Sequence, residues 1–319
     1  MNGNQTTVTE FILEGLPNIR TLEISLFLTI LFIYTVTLLG NFFVLLLICT
    51  NNNLRTPMYF FLANYAFLEV TLACVVSPKV MSNLLSRKKS ISYAGCLAQS
   101  YWFFLLATAD MILIAVMSYD RYLAVCNPLH YINIMTWNKC IILVAFSWFG
   151  GFLSVNIAAV LKGDLPYCGP NKINHFFCDS VPLMELVCMD TYFIQIIDFL
   201  LFAVVILGSL IFIAFTYTYI LTTIFRIPSA DGRQKAFSTC TSHFTIMIIV
   251  YSSSIFLYVT PRKGGSLEFN KMISAIDIFL IPAINPFIFT LRNKQVQQAM
   301  SKSLKKCQRY RLSVVDYDS

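Results

Sequence analysis

The chain has 319 residues, of which 57% are hydrophobic and only 12% charged, with a formal net charge of +7. A water-soluble domain carries about 25% charged residues, so this composition excludes one and predicts a membrane protein. Apolar stretches long enough to cross a bilayer as helices, about 20 residues each, fall at 25–49, 57–80, 97–120, 140–161, 195–225, 238–260 and 270–291.

Residues 1–24 are polar and mixed in charge and lack the basic start and short apolar core of a cleavable signal peptide. The expectation is that span 1 serves as its own signal. Asn4-Gln5-Thr6 is a glycosylation sequon, which suits an outside N-terminus. Span 1 carries Gly40-Asn41, and an amide at membrane depth must find a partner across helices. Pro57 opens span 2 at a first-turn position, where its missing N–H costs nothing.

Span 3 ends in Met117-Ser118-Tyr119-Asp120-Arg121-Tyr122, followed by Pro128 and Tyr131. An acid and an arginine at the end of an apolar run need a reason. Such a pair costs little if one end touches water, and it can act as a latch that a partner on that side breaks. The loop 162–194 is long for a bundle and needs staples to stay ordered. Arg226, Arg233 and Lys235 flank a short loop before span 6, and span 7 carries Asn285-Pro286. Beyond it, Val296, Met300 and Leu304 at spacing four among basic residues suit a short amphipathic helix on the membrane face.

Topology follows from the basic C-terminal stretch, Lys302, Lys305, Lys306, Arg309 and Arg311, which suits an anionic inner leaflet. Seven spans then put the N-terminus outside and Asp120-Arg121 at the cytoplasmic face. The expected organisation is an extracellular N-terminus over 1–24, a bundle over 25–291, and a cytoplasmic amphipathic helix and tail over 292–319. Cys96, Cys168, Cys178 and Cys188 fall at the outer face, where four cysteines allow three pairings. Cys307, beside basic residues, is placed for a palmitate or stays a free thiol.

Besides Asp120 at the end of span 3, four acids lie within the spans. A charged Asp at a helix centre costs about 2.5 to 3.5 kcal/mol, so such acids persist when paired, protonated or bound to a cation. Glu69 and Asp110, with Asn41 and Asn285, could line a hydrated pocket. One occupant of such an oxygen-rich site is a sodium ion, and the equal alternative is a network of neutral carboxylic acids. Asp198 and Asp277 have no obvious partner in sequence. The simplest expectation for Asp198 is that it reaches the outer surface, a role toward a polar or cationic ligand group being the alternative for either acid.

Enzymatic readings find no support. His130, His175 and His243 are far apart in sequence, without a His-Glu-x-x-His zinc motif. A transporter would be expected to have repeated halves and glycine-broken helices, which this sequence does not display. No feature calls for nucleic acid.

The order of the motifs resembles the odorant receptors, the olfactory branch of the rhodopsin-like G-protein-coupled receptors. The likeness runs from 11–15 through Gly40-Asn41, 54–62, 117–131 and 235–243 to 282–294, nearly the whole chain. The stretch 227–238 looks like the class that detects airborne odorants. The resemblance implies an all-α membrane protein, a seven-transmembrane helix bundle with a short amphipathic C-terminal helix. It implies a receptor for a small volatile that acts on a heterotrimeric G protein of the stimulatory olfactory type and raises cAMP. The alternatives are a chemoreceptor outside the nose on the same scaffold, or a small-molecule transporter.

Residue roles follow from the resemblance too. Cys96 looks like the cysteine at the top of span 3 that pairs with Cys178, leaving Cys168 with Cys188. Asp120, Arg121 and Tyr122 match the G-protein-coupling latch, Tyr217 and Tyr251 the activation tyrosines, and Asn285-Pro286 the inner half of span 7. Family position places ligand contacts at Phe104, Ala107, Thr108, Met111, Phe202, Val205, Ser254, Ile255 and Tyr258. Thr108, Ser254 and Tyr258 are the expected hydrogen-bonders, since hydroxyls in an apolar bundle need partners. A neutral or weakly polar volatile is favoured over an amine. The chain departs from the pattern in having Phe289 where tyrosine is usual, Glu69 for the commoner aspartate and Asp110 for the usual glutamate. No cofactor is implied beyond the sodium alternative.

Overall fold

The computed structural model describes residues 8–15, 19–162, 165–167, 171–259, 267–291 and 296–301, with the backbone alone at 235, 238, 239, 242, 267 and 291. Asn4, Cys168, Leu304, Cys307 and the basic tail lie outside the described residues. Six helices are long and apolar enough to cross a membrane, and a shorter apolar helix makes the seventh. They form an all-α, seven-helix bundle.

The helices extend beyond the apolar runs that predict them. Span 1 is Arg20–Thr50, span 2 Pro57–Leu85, span 3 Tyr93–Cys126, span 4 Trp137–Lys162 and span 5 Tyr192–Phe225. Hydropathy reads only the lipid-facing length, whereas the hydrogen-bonded helix continues into the polar boundary. Local chemistry sets the ends. Pro57 begins span 2, Ser92 Oγ accepts from Gly95 N at 3.1 Å to cap span 3, and Ser229 Oγ accepts from Gly232 N at 3.2 Å to cap span 6.

Spans 6 and 7 are not uniform. Span 6 is an α-helix over Ala230–Ser254 that passes into a π-helical turn at Ile255–Val259. Span 7 runs Leu267–Ala275, then a π turn at Ile276–Leu280, then Ile281–Leu291. Such turns are frequent at functional sites. Two close backbone approaches fix the packing. A Cβ on Gly40 would stand 3.0 Å from Pro286 Cγ, so span 1 closes on span 7, and one on Gly151 would stand 2.5 Å from Leu105 O, so span 4 lies against the backbone of span 3. Span 3 is the central helix: 67% of its apolar window is buried, against 22% for span 5.

One end of the bundle, called outer here because the N-terminal strand caps it, carries a small sheet that the helical reading does not predict. Strand β1 (Glu10–Leu13) lies between β2 (Ser90–Ser92) and β3 (Lys172–Ile173), antiparallel to the first with Phe11 opposite Ile91, and parallel to the second with Leu13 opposite Ile173. Phe11 is fully buried there, 5.9 Å from the Tyr93 ring and 5.6 Å from the Tyr167 ring. At the opposite, inner end, residues 296–301 are helical, with Val296 and Ala299 buried against the core and Met300 partly buried. That turn faces the bundle through 296 and 299, so its stripe is set by i and i+3 and not by spacing four alone.

Candidate functional site

Three aromatic side chains from three helices meet in the outer half of the bundle. Phe104 of span 3 lies 5.0 Å from Phe202 of span 5 and 5.9 Å from Tyr258 of span 6, and Phe202 and Tyr258 are 5.7 Å apart. Thr108 and Met111 of span 3 and Ser254 of span 6 are buried, and Ala107, Val205 and Ile255 are partly buried. The nine residues expected to touch a ligand therefore lie on spans 3, 5 and 6, and three of them are in ring contact.

The middle loop closes over this region from the outer end. Cys96 and Cys178 form a disulfide, the pairing that the resemblance implies, and Cys178 N donates to Gln99 Oε1 at 3.1 Å. Phe177 packs on Phe103 at 4.7 Å and Phe176 on Phe279 of span 7 at 5.8 Å. Cys188 is also disulfide-bonded. Its backbone N–H donates to Pro166 O at 3.0 Å, and Tyr167 bridges to Val187, so the chain just before Cys168 runs beside Cys188.

Asp198 does not reach the surface. It is 7% exposed, forms an ion pair through Oδ2 with Lys162 of span 4, and accepts from Ser180 Oγ at 3.0 Å. The correction has a simple cause: Lys162 and the loop helix Ser180–Met184 fold over the carboxylate and replace its water. Asp277 also has a partner, since Ser253 Oγ of span 6 donates to its Oδ1 at 2.6 Å.

Deep in the bundle lie the four polar groups Asn41, Glu69, Asp110 and Asn285. Asn285 Nδ2 donates to Glu69 Oε1 at 2.5 Å and to Tyr65 OH at 2.8 Å, tying span 7 to span 2. Asn41 Nδ2 is committed elsewhere, to Thr37 O at 2.9 Å and Pro282 O at 3.1 Å. Asp110 Oδ1 is buried with no hydrogen-bond partner among the described residues. Among the described residues no three acidic, histidine or cysteine side chains converge as metal ligands. Phe289 packs edge-on against Tyr65 at 5.8 Å, so the departure from tyrosine substitutes a ring contact for a hydroxyl.

The inner end holds the Asp120–Arg121 ion pair. Asp120 is 1% exposed and pairs with Arg121, Oδ2 accepting from Nε at 3.1 Å and also from Nη2. Tyr131, in a short helix (Tyr131–Ile134) of the next connection, donates its hydroxyl to Asp120 Oδ1 at 2.7 Å. Burial, and then the Asp120 carboxylate beside it, hold the Tyr131 phenol above its ordinary value, so it stays a donor. Tyr122 stacks with Tyr119 at 6.4 Å and meets Tyr219 of span 5 edge-on at 5.9 Å.

Spans 5 and 6 attach to span 3 through groups that sequence reasoning names only in part. Tyr217 OH and His243 Nδ1 are 2.7 Å apart, and His243 Nε2 lies 3.1 Å from Ile114 O. A backbone carbonyl accepts only, so Nε2 carries the proton and Nδ1 accepts from Tyr217. Tyr251 OH donates to Met111 O at 3.1 Å. The signals that sequence reasoning missed are His243, a single imidazole in an apolar run, and Tyr131, one tyrosine among 16. In each case the neighbouring charge or the membrane depth was the available clue.

Comparison with known proteins agrees with this geometry. The family model described as "Olfactory receptor" matches residues 30–307. The chain is similar to Olfactory receptor 6J1 of Homo sapiens, 49% identical over 92% of this chain and 85% of that protein. It is 44% identical to Olfactory receptor 6E1 of Mus musculus over 96% of this chain and 98% of the relative, and 45% identical to Olfactory receptor 6T1 of Homo sapiens over 94% and 93%. These relatives are receptors, not enzymes, and the apolar helices make the chain a multi-pass membrane protein. The chain belongs to the olfactory receptor family.

Proposed function

We propose that this receptor binds a small, mostly apolar volatile between the outer halves of spans 3, 5 and 6 and activates a stimulatory olfactory-type G protein, raising cAMP. The observation that carries the reading is the meeting of Phe104, Phe202 and Tyr258, which joins the three helices at one apolar point. In this reading the receptor sits in the plasma membrane with the sheet end and N-terminus outside, and the tail after residue 291 in the cytoplasm. Asn4 is then in the compartment where its sequon is modified.

Ligand binding acts by population shift: a volatile that fits the active arrangement better moves the equilibrium by no more than its differential affinity. Each of its heavy atoms contributes at most about 1.5 kcal/mol. The output is a separation of the inner ends of spans 3 and 6 around Asp120, Arg121 and Tyr122, which opens a basic cleft for a G-protein helix. The test is a cell-based cAMP assay with a volatile panel, on the wild type and Arg121→Ala. Ligand-dependent cAMP that Arg121→Ala abolishes at normal surface level supports the reading, and an unchanged response in the variant overturns the latch. Flux of the volatile across the membrane without cAMP would point to a transporter instead.

A further inference from the structure

We propose that Asp198 offers an unused carboxylate oxygen at the outer end of the ligand region and so selects volatiles that carry a neutral hydrogen-bond donor, alcohols and phenols above all. The inference rests on the ligand region proposed above and names the class of molecule it takes.

The two oxygens of Asp198 are in different situations. Oδ2 holds both Lys162 Nζ and Ser180 Oγ, whereas Oδ1 is buried and accepts no hydrogen bond among the described residues. A buried acceptor without a donor is destabilising unless something supplies one. The side chain is itself nine-tenths shielded, with the residue 7% exposed.

Its position indicates what could supply the donor. Residues 198, 202 and 205 follow the i, i+4, i+7 spacing of one helix face, so Asp198 stands one turn outward of Phe202, whose ring meets Phe104 and Tyr258. From outside, the same carboxylate is closed over by Ser180, two residues after the disulfide-bonded Cys178. Asp198 thus stands on the Phe202 face of span 5, one turn nearer the closed outer layer.

Charge decides the class of donor. Lys162 already balances the Asp198 carboxylate, so an ammonium ligand would bring an unpaired positive charge into an apolar bundle, which is costly. A hydroxyl brings none and makes a short, charge-assisted O–H···O⁻ bond. An ether or ester turns a lone pair toward Oδ1 and leaves it unsatisfied. Sites built to bond a hydroxyl discriminate strongly against analogues that lack one.

The test uses the full-length receptor in a cAMP assay with size-matched sets: straight-chain and aromatic alcohols, their methyl ethers, and the corresponding primary amines. The expected result is that alcohols are more potent than their ethers by at least about tenfold, the factor expected of one hydrogen bond to a charged acceptor, with amines weaker than alcohols. In Asp198→Asn, Lys162 holds the amide oxygen and turns the NH₂ toward the ligand, so the alcohol preference falls to unity or reverses in favour of ethers, at surface levels matched to wild type. Should that variant fail to reach the surface, the wild-type alcohol-to-ether ratio decides alone. Equal potency of alcohols and ethers, the outcome if Oδ1 holds only a structural water, overturns the inference and leaves the receptor reading standing. Equal loss of both classes in Asp198→Asn, or amines stronger than alcohols, overturns it as well. A panel in which no volatile raises cAMP overturns the receptor reading on which the inference rests.

Discussion

Replacing Tyr131 with phenylalanine removes one oxygen atom and tests whether the Asp120 latch is held closed from the loop. The Tyr131 hydroxyl donates to Asp120 Oδ1 at 2.7 Å, and Arg121 occupies Oδ2. Asp120 is 1% exposed, so water does not simply take the vacated place. A hydrogen bond to a charged group contributes about 1.5 to 3 kcal/mol. Tyr131 is itself only partly buried, and we take the lower end, about 1.5 kcal/mol, which corresponds to roughly a tenfold change in an equilibrium constant.

If the bond exists only while the latch is closed, the inactive arrangement loses that amount and the active fraction rises about tenfold from a low resting value. Apparent ligand affinity rises by the same factor, because it scales with the binding-competent fraction. The assay is ligand-free cAMP and the half-maximal concentration of one agonist, in cells sorted for equal surface receptor. Since burial and the neighbouring carboxylate hold the Tyr131 phenol above its ordinary value, the effect should be the same from pH 6 to pH 8. Unchanged basal signal and unchanged agonist potency would refute the reasoning, as would a fall in both, which would make Tyr131 part of the coupling surface and not a brace for the latch.

Three further outcomes follow from the packing. Cys96→Ser and Cys178→Ser each cost about 2 to 5 kcal/mol, and surface staining should fall equally in the singles and the double, whereas additive losses would count against a shared bridge. Phe11→Ala empties a fully buried site between Tyr93 and Tyr167; a loss of about 3 to 5 kcal/mol should appear as reduced surface receptor and a lower melting temperature in detergent, and an unaltered melting point would show that the strand does not brace the bundle. Tyr217→Phe and His243→Ala remove the two ends of one hydrogen bond; their combined effect on thermal stability should be less than the sum by about 0.5 kcal/mol or more, and strict additivity would deny the contact.

The spans were legible because a bilayer demands uninterrupted apolar length, and that demand is written locally. The outer sheet was not. Strand β1 is four residues long and its partners lie about 80 and 160 positions away, so no period in the sequence marks it. The π turns at 255–259 and 276–280 carry no proline or glycine that would announce them. Within the site, Asp120 and Arg121 stood out because charge is expensive in an apolar run, and the Phe104, Phe202 and Tyr258 positions came from family likeness. The surroundings of Asp198 could not be read: Lys162 and Ser180 are distant in sequence, and only the folded loop brings them to the carboxylate. Asp277 was the same case, with Ser253 a helix away.

The distribution of polar contacts also indicates which part of the bundle can move. Spans 1, 2 and 7 are joined at depth by Asn285 to Glu69 and Tyr65, by Asn41 to Pro282 O, and by the close approach of Gly40 to Pro286. Span 6 is tied at its outer half to span 7 by Ser253 and Asp277 and to the aromatic triangle by Tyr258. Farther inward it is held to span 3 by Tyr251 on Met111 O and His243 on Ile114 O. Two such bonds are together worth about 1 to 3 kcal/mol net. A volatile gains at most about 1.5 kcal/mol from each heavy atom, so a fit that favours the open arrangement by two or three well-placed atoms is enough to offset both. In the mechanism proposed above, the outer anchor at Ser253 would serve as the pivot, the inner half of span 6 as the arm, and the Asp120, Arg121 and Tyr131 cluster as the contact that yields when the inner cleft opens.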